Sequence, residues 1–301
     1  SSGLMESEKL TLFLDVGTNG ETVLGTRDWM VTCACSAGPA FEGAGVEHGM
    51  RATTGAIEEV WVNGQTGEPT YRVIGGGKPA GLCGSGLISL LAELFITGVI
   101  DRSGKLATTT PRKGAKTQRE ELGDFASLRE VKERVRDGAH GAEYVVAWAD
   151  ETATGQDIVL TKVDIDNLLR AKAAIYAGYT VLCQSVGVDP ADVEQVLIGG
   201  AFGQYINIEK AIQIGLLPDL PWERFQFLGN TSATGAYYAL LSRTMRTQVT
   251  VAAAMMTYLE LSADNTFYDN FTSALFLPHT AIDRFPTVRA LLEDRQDQAE
   301  K

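Results

Sequence analysis

The chain has 301 residues, of which 45% are hydrophobic and 21% are charged, and its formal net charge is −12. These values are ordinary for a folded soluble protein and leave room for one large domain or two subdomains. The strong negative charge disfavours nucleic acid and anionic membrane surfaces as partners. No apolar run reaches the length of a membrane span, and the first residues lack the apolar core of a signal peptide.

Three consecutive strands are predicted at the start of the chain, over residues 10–16, 21–25 and 29–35. The first strand carries Asp15 near its end, and a tight turn then leads into the second strand. This turn consists of Gly17, Thr18, Asn19 and Gly20. Backbone N–H groups of such a turn can hold phosphate oxygens, while a carboxylate beside it holds a divalent metal or the water around it. The pattern indicates a nucleotide site with Asp15 as its metal-binding residue.

Each of these residues also has a purely structural interpretation. Asp15 could stabilise the turn by bonding its own backbone, and the turn itself could be a plain hairpin connection. Glu21 follows the turn directly and is either a water-orienting base or a strand-edge residue, which the sequence alone does not separate. Glu42, in a glycine-rich stretch over 36–45, is a second candidate acid.

A helix is predicted over 85–97 from apolar residues at helical spacing. Gly84 and Ser85 lie at its start, where they form either an anion site at the helix N-terminus or a tight helix entry. The other segments predicted in this region are a strand pair over 57–62 and 71–74, an exposed polar excursion over 102–127, a short charged helix after residue 128, and a strand over 143–148.

A long helix is predicted over 164–186, with Asp164 as its N-cap. The buried strand that follows ends at Gly199 and Gly200, with Gly203 close behind. Because glycine has no Cβ, these positions allow a flat ligand to press on the backbone, although glycines at such turns often serve packing alone. The remaining predicted elements are a strand over 225–228, a turn with Asn230, a helix over 232–241, a helix near 249–261 and an aromatic-rich segment over 267–276.

The four cysteines show no spacing typical of a bound metal or cluster, since none belongs to a C-x-x-C pair. This disfavours a disulfide framework, a structural zinc site and an iron–sulfur cluster in this chain. Buried free thiols are the preferred interpretation, and they indicate a reducing compartment such as the cytoplasm.

Several strings, in a fixed order along the chain, resemble one protein family. The order of elements is similar to one half of the superfamily of actin, heat-shock and sugar-kinase ATPases. The strings resemble the reductive activators of corrinoid proteins, over about residues 10–276. They are LDVGTNGE from Leu14, SAGPAFEGA from Ser36, GMRA from Gly49, GLCGSGLI from Gly81, IGGAFG from Ile198 and YLELS from Tyr258.

The resemblance implies an α/β fold. We expect half of an actin-like, ribonuclease H-like ATPase, with a mixed sheet flanked by helices and a smaller inserted α+β subdomain. The implied division is a tag or linker over 1–9, the C-terminal ATPase lobe over 10–276 with an insertion at about 100–160, and a C-terminal tail over 277–301.

The resemblance also implies an activity. Members of this family reduce Co(II) corrinoid proteins to Co(I), with an electron from a ferredoxin-like iron–sulfur domain, and ATP with Mg²⁺ drives the uphill step. By this resemblance Asp15 and Glu21 are the catalytic residues. The residues expected to contact ATP are Gly17, Thr18, Asn19, Gly20, Gly84, Ser85, Gly199, Gly200, Gly203 and Asn230.

Two departures from the family pattern limit this expectation. The chain has no cysteine cluster, and it has one Asp-x-Gly-Thr turn where the superfamily fold has two. We therefore expect the iron–sulfur domain and the first phosphate motif to lie outside this chain, in a preceding segment or a separate polypeptide. Alone, the chain is expected to bind ATP weakly and to hydrolyse it negligibly.

The expected partners are a corrinoid protein and ATP, and a homodimer is left open. An alternative hypothesis is that the chain is a docking module, which recognises a corrinoid protein without hydrolysing nucleotide. A small-molecule kinase of the same superfamily ranks last, because no substrate-binding acid in a sugar-kinase setting is visible.

Overall fold

The computed structural model describes residues 2–107, 134–139, 141–200 and 206–299. The strands in these residues are β1 (Thr11–Val16), β2 (Gly20–Gly25), β3 (Met30–Cys35), β4 (Ala56–Val62), β5 (Pro69–Val73), β6 (Gly81–Leu82), β7 (Val135–Gly138), β8 (Gly141–Ala147), β9 (Ile158–Thr161), β10 (Gln195–Gly199), β11 (Phe225–Gly229) and β12 (Met256–Tyr258). The helices are α1 (Gly84–Ile96), α2 (Lys162–Ser185), α3 (Ile208–Gln213), α4 (Thr231–Leu241), α5 (Arg243–Met255), α6 (Asn265–Ala274) and α7 (Pro286–Ala299).

The centre of the fold is a six-stranded mixed sheet in the order β11-β10-β1-β2-β3-β12. The first three strands form an antiparallel meander, while β10 and β11 run parallel to β1 and β12 runs parallel to β3. This arrangement confirms the predicted mixed α/β fold class. The three predicted strands of the meander are also confirmed, each within one residue at both ends.

Helix α2 covers one face of this sheet, and the sequence pattern explains why. In β1, Leu12, Leu14 and Val16 alternate with less buried residues, so one strand face is apolar. The helix reaches close to the sheet at Gly178, where the Cys33 thiol lies 3.6 Å from the Gly178 carbonyl oxygen. Burial raises the pKa of Cys33 to about 12, which keeps this thiol protonated and unreactive.

Gly20 is part of this helix–sheet contact. It is buried at the start of β2, opposite Cys35 on β3. A Cβ at this position would lie 2.7 Å from the Cys35 sulfur and 3.1 Å from Ile175 Cγ1 of α2. Packing between the sheet and α2 therefore accounts for glycine at this position.

The start of α2 differs from the prediction in one respect. Thr161 is the N-cap, and its hydroxyl accepts a hydrogen bond of 3.1 Å from the Asp164 N–H. Asp164, predicted as the cap, occupies the third helical position, and its carboxylate accepts a 3.0 Å bond from the Thr161 N–H. The two residues form a reciprocal capping box, in which each side chain accepts a hydrogen bond from the backbone N–H of the other residue.

The chain between β3 and α2 forms two further three-stranded sheets, ordered β5-β4-β6 and β7-β8-β9, together with α1. The predicted strand over 143–148 corresponds to β8, and the predicted helix over 85–97 corresponds to α1. Most of the polar excursion over 102–127 and the start of the predicted charged helix lie outside the described residues. No helix in the described part of the chain combines the length and apolar character needed to cross a membrane.

The C-terminal part contains one wrong prediction. The helix predicted near 249–261 ends at Met255, and the next three residues form β12 instead. They pair with Met30, Val31 and Thr32 of β3, so tertiary pairing at the sheet edge overrides the local helical pattern.

The segment after residue 276 packs into the main core through Leu277, Phe285 and Val288. It is also held by Lys172, a fully buried residue of α2. The Lys172 amine donates hydrogen bonds of 2.6 Å and 2.7 Å to the carbonyl oxygens of Phe276 and Pro278. Burial lowers the pKa of this amine well below its ordinary value.

His279 lies in the same cluster, and its Nδ1 accepts a 3.0 Å hydrogen bond from the Ala281 N–H. Burial, together with the nearby cations Arg284 and Lys172, lowers the pKa of His279 to about 4. The unfolded chain therefore takes up a proton near pH 6.5 that the folded protein takes up only near pH 4.

We predict that stability falls as the pH is lowered from 6.5 to 4, and that His279→Asn flattens this fall. Over that interval the wild-type chain should lose on the order of 2 kcal/mol more than the variant. Urea denaturation of both proteins at several pH values measures the difference. Equal pH slopes for the two proteins would contradict the role given to His279.

We also predict that Gly20→Ala lowers the free energy of unfolding by roughly 1–3 kcal/mol, because the added methyl overpacks the contact with Cys35 and Ile175. Gly64→Ala is the matched control, since its Cβ would meet only Thr97 Cγ2, at 3.9 Å. Urea denaturation at pH 7 compares the two variants, and equal stabilities would argue against the packing role of Gly20.

Candidate functional site

Asp15 lies near the end of β1, where strands on both sides position it. On one side it is opposite Glu21 in the antiparallel ladder, and on the other it is in register with Gly199 of the parallel strand β10. Residues directly opposite in an antiparallel pair project to the same face of the sheet. The two predicted catalytic carboxylates, Asp15 and Glu21, are therefore neighbours on one face.

The carboxylate of Asp15 is held by a residue that sequence reasoning missed. The Ser232 hydroxyl donates a 2.9 Å hydrogen bond to Asp15 Oδ2 from the first turn of α4. The two residues are 217 positions apart, so no local pattern connects them. The only signal in the sequence was that Ser232 comes two residues after Asn230, which was already a candidate binding residue.

Gly200 completes the surroundings of Asp15. Its φ of +93° lies in the left-handed region that favours glycine. A Cβ there would lie 2.7 Å from both Asp15 Oδ1 and the Val16 carbonyl oxygen. Gly199 is equally confined, because its Cβ would lie 2.7 Å from the Thr231 hydroxyl.

Protein atoms thus occupy the space that the sequence argument reserved for a flat ligand at Gly199 and Gly200. The structure explains both glycines by their fit against the end of β1 and the start of α4. Gly203, the third predicted glycine, lies outside the described residues.

The turn after Asp15 presents free donors. Gly17 N–H donates to the Asn19 carbonyl at 3.0 Å, and Gly38 N–H donates to the Thr18 carbonyl at 2.8 Å. The N–H groups of Thr18 and Asn19 themselves donate to no acceptor among the described residues, and both residues are exposed. Two backbone donors are therefore available at the surface beside the Asp15 carboxylate.

Glu42 contacts this turn from another part of the chain. The Thr18 hydroxyl donates a 2.6 Å hydrogen bond to Glu42 Oε1. This contact fixes the second candidate acid against the turn. Glu42 follows β3 in a short 3₁₀ helix over Pro39–Glu42.

Asn230 serves as the N-cap of α4, and its Oδ1 accepts a 2.9 Å hydrogen bond from the Ala233 N–H. The preceding residue, Gly229, is in register with Gly199. The ends of β1, β10 and β11 thus bring together Asp15, Gly199 and Asn230.

Gly84 and Ser85 have a different environment. They form the buried first turn of α1, where the Ser85 hydroxyl lies 3.3 Å from the Cys83 sulfur. The next residue, Gly86, would clash with the Ile57 carbonyl oxygen of β4 if it had a Cβ. The contacts of this helix start are with β4, which favours the tight helix entry over the anion site.

The surroundings of the site carboxylates hold no cationic partner in the part of the chain that the structure describes. No ion pair among the described residues includes Asp15, Glu21 or Glu42. The described residues also contain no group of three or more His, Cys, Asp or Glu side chains arranged to hold a metal ion. A cation here would depend on water and ligand oxygens, as Mg²⁺ commonly does in nucleotide sites.

Comparison with known proteins gives consistent matches. The family described as the C-terminal domain of RACo, the ASKHA domain, matches residues 9–125 and 120–289. A solved structure named reductive activator for corrinoid,iron-sulfur protein is 49% identical, with a TM-score of 0.83. The alignment covers 95% of this chain and 42% of that one.

Two curated relatives also match. "Corrinoid activation enzyme RamQ" of Eubacterium limosum is 36% identical over 270 residues, which are 89% of this chain and 43% of the relative. The "[Co(II) methylated amine-specific corrinoid protein] reductase" of Methanosarcina barkeri is 26% identical over 287 residues, which are 87% of this chain and 44% of the relative. The chain thus spans less than half the length of these relatives.

The matches confirm the resemblance inferred from the sequence strings. The family match covers the hairpin that carries Asp15, the strand that ends at Gly199 and the helix cap Asn230. The chain belongs to the family of the C-terminal ASKHA domain of RACo, the reductive activator of corrinoid proteins.

Proposed function

We propose that this chain is the ATP-binding C-terminal module of an iron–sulfur protein that reduces Co(II) corrinoid proteins to Co(I). One observation carries the proposal. Asp15, fixed by Ser232, lies beside a turn whose Thr18 and Asn19 N–H groups have no acceptor among the described residues, and Asp15 has no cationic partner among them either. The names of the matching relatives support the corrinoid part.

The residues present fit Mg²⁺ and ATP. Exposed N–H groups of a tight turn suit phosphate oxygens, and the Asp15 carboxylate suits Mg²⁺ or its bound water. In this proposal Thr18 and Asn19 bind phosphate, and Asp15 positions the cation. Gly199, Gly200 and Asn230 shape the adjacent wall by their packing against β1 and α4.

ATP with Mg²⁺ would supply a terminal phosphoryl group open to in-line attack by water. The chain offers two carboxylates to orient that water. Glu21 lies beside Asp15 on the same sheet face, and Glu42 is held by the Thr18 hydroxyl. The backbone of Glu21 is fixed by the sheet, and the carboxylate of Glu42 is held by the turn.

The nucleotide state would act on reduction by changing the free energy of the complex with the corrinoid protein. Such coupling requires that the two nucleotide states bind the partner with different affinity. The electron itself must come from outside the described part of this chain, because all four cysteines in the described part are buried and free.

We propose the cytoplasm as the compartment.

We predict that Asp15→Asn lowers ATP turnover about 100-fold, because it removes one charge that positions the cation. Turnover is measured in the whole protein that contains this chain. Asp28→Asn is the matched control, since Asp28 is exposed and lies in the turn between β2 and β3, at the end of β2 away from Asp15. Unchanged turnover in Asp15→Asn would favour the rival reading, a docking module that does not hydrolyse nucleotide.

We predict that the same protein retains a corrinoid protein in its Co(II) state, and that ATP with Mg²⁺ alters the retained amount. A pull-down with purified Co(II) corrinoid protein, with and without nucleotide, measures this. If nucleotide does not change the retained amount, the proposed coupling is wrong. Absence of retention in every nucleotide state would remove the corrinoid partner.

A further inference from the structure

A cavity of about 290 Å³ lies between α2, the segment that leads into β10, and the segment that leads into α7. Its buried lining is aromatic and apolar, and includes Tyr176, Tyr179, Leu220 and Phe285. The volume lies near the lower end of the range for ligand pockets, roughly 300–1,000 Å³, so the cavity suits a small molecule. Asp189 lines it just before β10, whereas Asp15 lies beside the opposite end of that strand, at Gly199. The cavity is therefore separate from the candidate nucleotide site.

The hydroxyl of Tyr179 has no partner inside this lining. The side chain is fully buried, and its oxygen has no hydrogen-bond partner among the described residues. Burial is the main cause that raises the pKa of Tyr179, and the nearby Arg284 acts in the opposite direction. A buried polar group without a partner is costly, and a bound ligand is one way to satisfy it. A ligand that reaches Arg284 can also bond this phenol.

Arg284 supplies the positive charge of the cavity. One of its nitrogens donates a 3.1 Å hydrogen bond to the Tyr176 hydroxyl, and its other N–H groups donate to no acceptor in the described part of the chain. It forms no ion pair among the described residues. The Tyr176 hydroxyl accepts this bond, so its own proton is available to a ligand. A guanidinium and two phenols form a donor set that suits a carboxylate.

Three aspartates line the same cavity, namely Asp189, Asp219 and Asp283. Asp219 is engaged, since its carboxylate accepts two bonds of 2.8 Å from the N–H and the hydroxyl of Thr287. Asp283 pairs with Arg289. Asp189 accepts one bond of 2.9 Å, from the Ala191 N–H to its Oδ1, and its Oδ2 meets no donor among the described residues. Asp189 therefore has an acceptor to offer a cationic group.

The charges of Arg284 and Asp189 lie near each other without pairing. Burial acts to lower the pKa of Arg284, but the hydrogen bond to Tyr176 and the nearby Asp189 carboxylate raise it overall. A simple anion at Arg284 would be repelled by the aspartates. A molecule with an anionic and a cationic group a few ångströms apart interacts favourably with both charges.

We propose that this cavity binds a small amino acid with an apolar side chain. Its carboxylate accepts hydrogen bonds from Arg284 and the Tyr179 hydroxyl, and its ammonium group donates to Asp189. Its side chain packs against the apolar lining. The proposal is independent of nucleotide binding, and its tests do not involve ATP or a corrinoid protein.

We predict that the whole protein that contains this chain binds at least one of L-leucine, L-methionine and L-phenylalanine. The dissociation constant should be on the order of 1 mM or lower, as measured by isothermal titration. N-acetylation and methyl esterification of the bound amino acid should each weaken binding about tenfold, because each removes one of the two charges. Failure of all three amino acids to bind, or equal binding of the N-acetylated form, would overturn the proposal.

Variants place the ligand in this cavity. Arg284→Gln should weaken binding of the same amino acid about tenfold, and Asp189→Asn about fivefold, because each removes a charged partner. Arg72→Gln is the matched control, since Arg72 is an exposed arginine of β5 that pairs with Glu58 and Glu59 and does not line the cavity. Binding of wild-type strength in both cavity variants would overturn the assignment.

A third variant covers the case in which the charge variants fold poorly. Tyr179→Phe should not lower the urea midpoint of the ligand-free protein, because the hydroxyl that it removes has no partner among the described residues. The same change should weaken amino-acid binding about threefold. A lower midpoint with unchanged binding would show that the hydroxyl serves folding instead of the ligand, and would contradict the proposal.

Discussion

Strand β1 lies between an antiparallel neighbour, β2, and a parallel neighbour, β10, and the candidate site depends on this double pairing. Pairing with β2 places Glu21 beside Asp15, and pairing with β10 places Gly199 beside it. The apolar face of the same strand is locked under α2, so the register cannot slip without exposing Leu12 and Leu14. The register of the core strand therefore fixes the backbone position of Asp15.

The sequence predicted the elements whose signal is local. The meander of β1–β3 follows from alternating apolar residues and a glycine-rich turn, and α2 follows from helical spacing over 24 residues. The convergence of Asp15, Gly199 and Asn230 follows from the parallel pairing of β1, β10 and β11, which the structure shows. The chemistry of the Asp-x-Gly-Thr turn added the expectation of a nucleotide.

Features that depend on distant contacts were not predictable. Ser232 has no local mark that connects it with Asp15, and β12 forms because β3 offers an open edge, against the helical tendency of the preceding residues. The glycines near the site gave an ambiguous signal, since a missing Cβ can serve a ligand or a neighbouring side chain. Only the structure shows that Phe13, Thr231 and Asp15 fill the space beside Gly199 and Gly200.

The buried amine of Lys172 has a consequence for how the protein opens. Its acceptors, the carbonyl oxygens of Phe276 and Pro278, belong to the segment after α6, whereas Lys172 belongs to the middle of α2. If that segment detached, the amine would remain in an apolar interior without acceptors, which is costly. Detachment of the chain at Phe276–Pro278 is therefore opposed, which couples the opening of this point to the central helix.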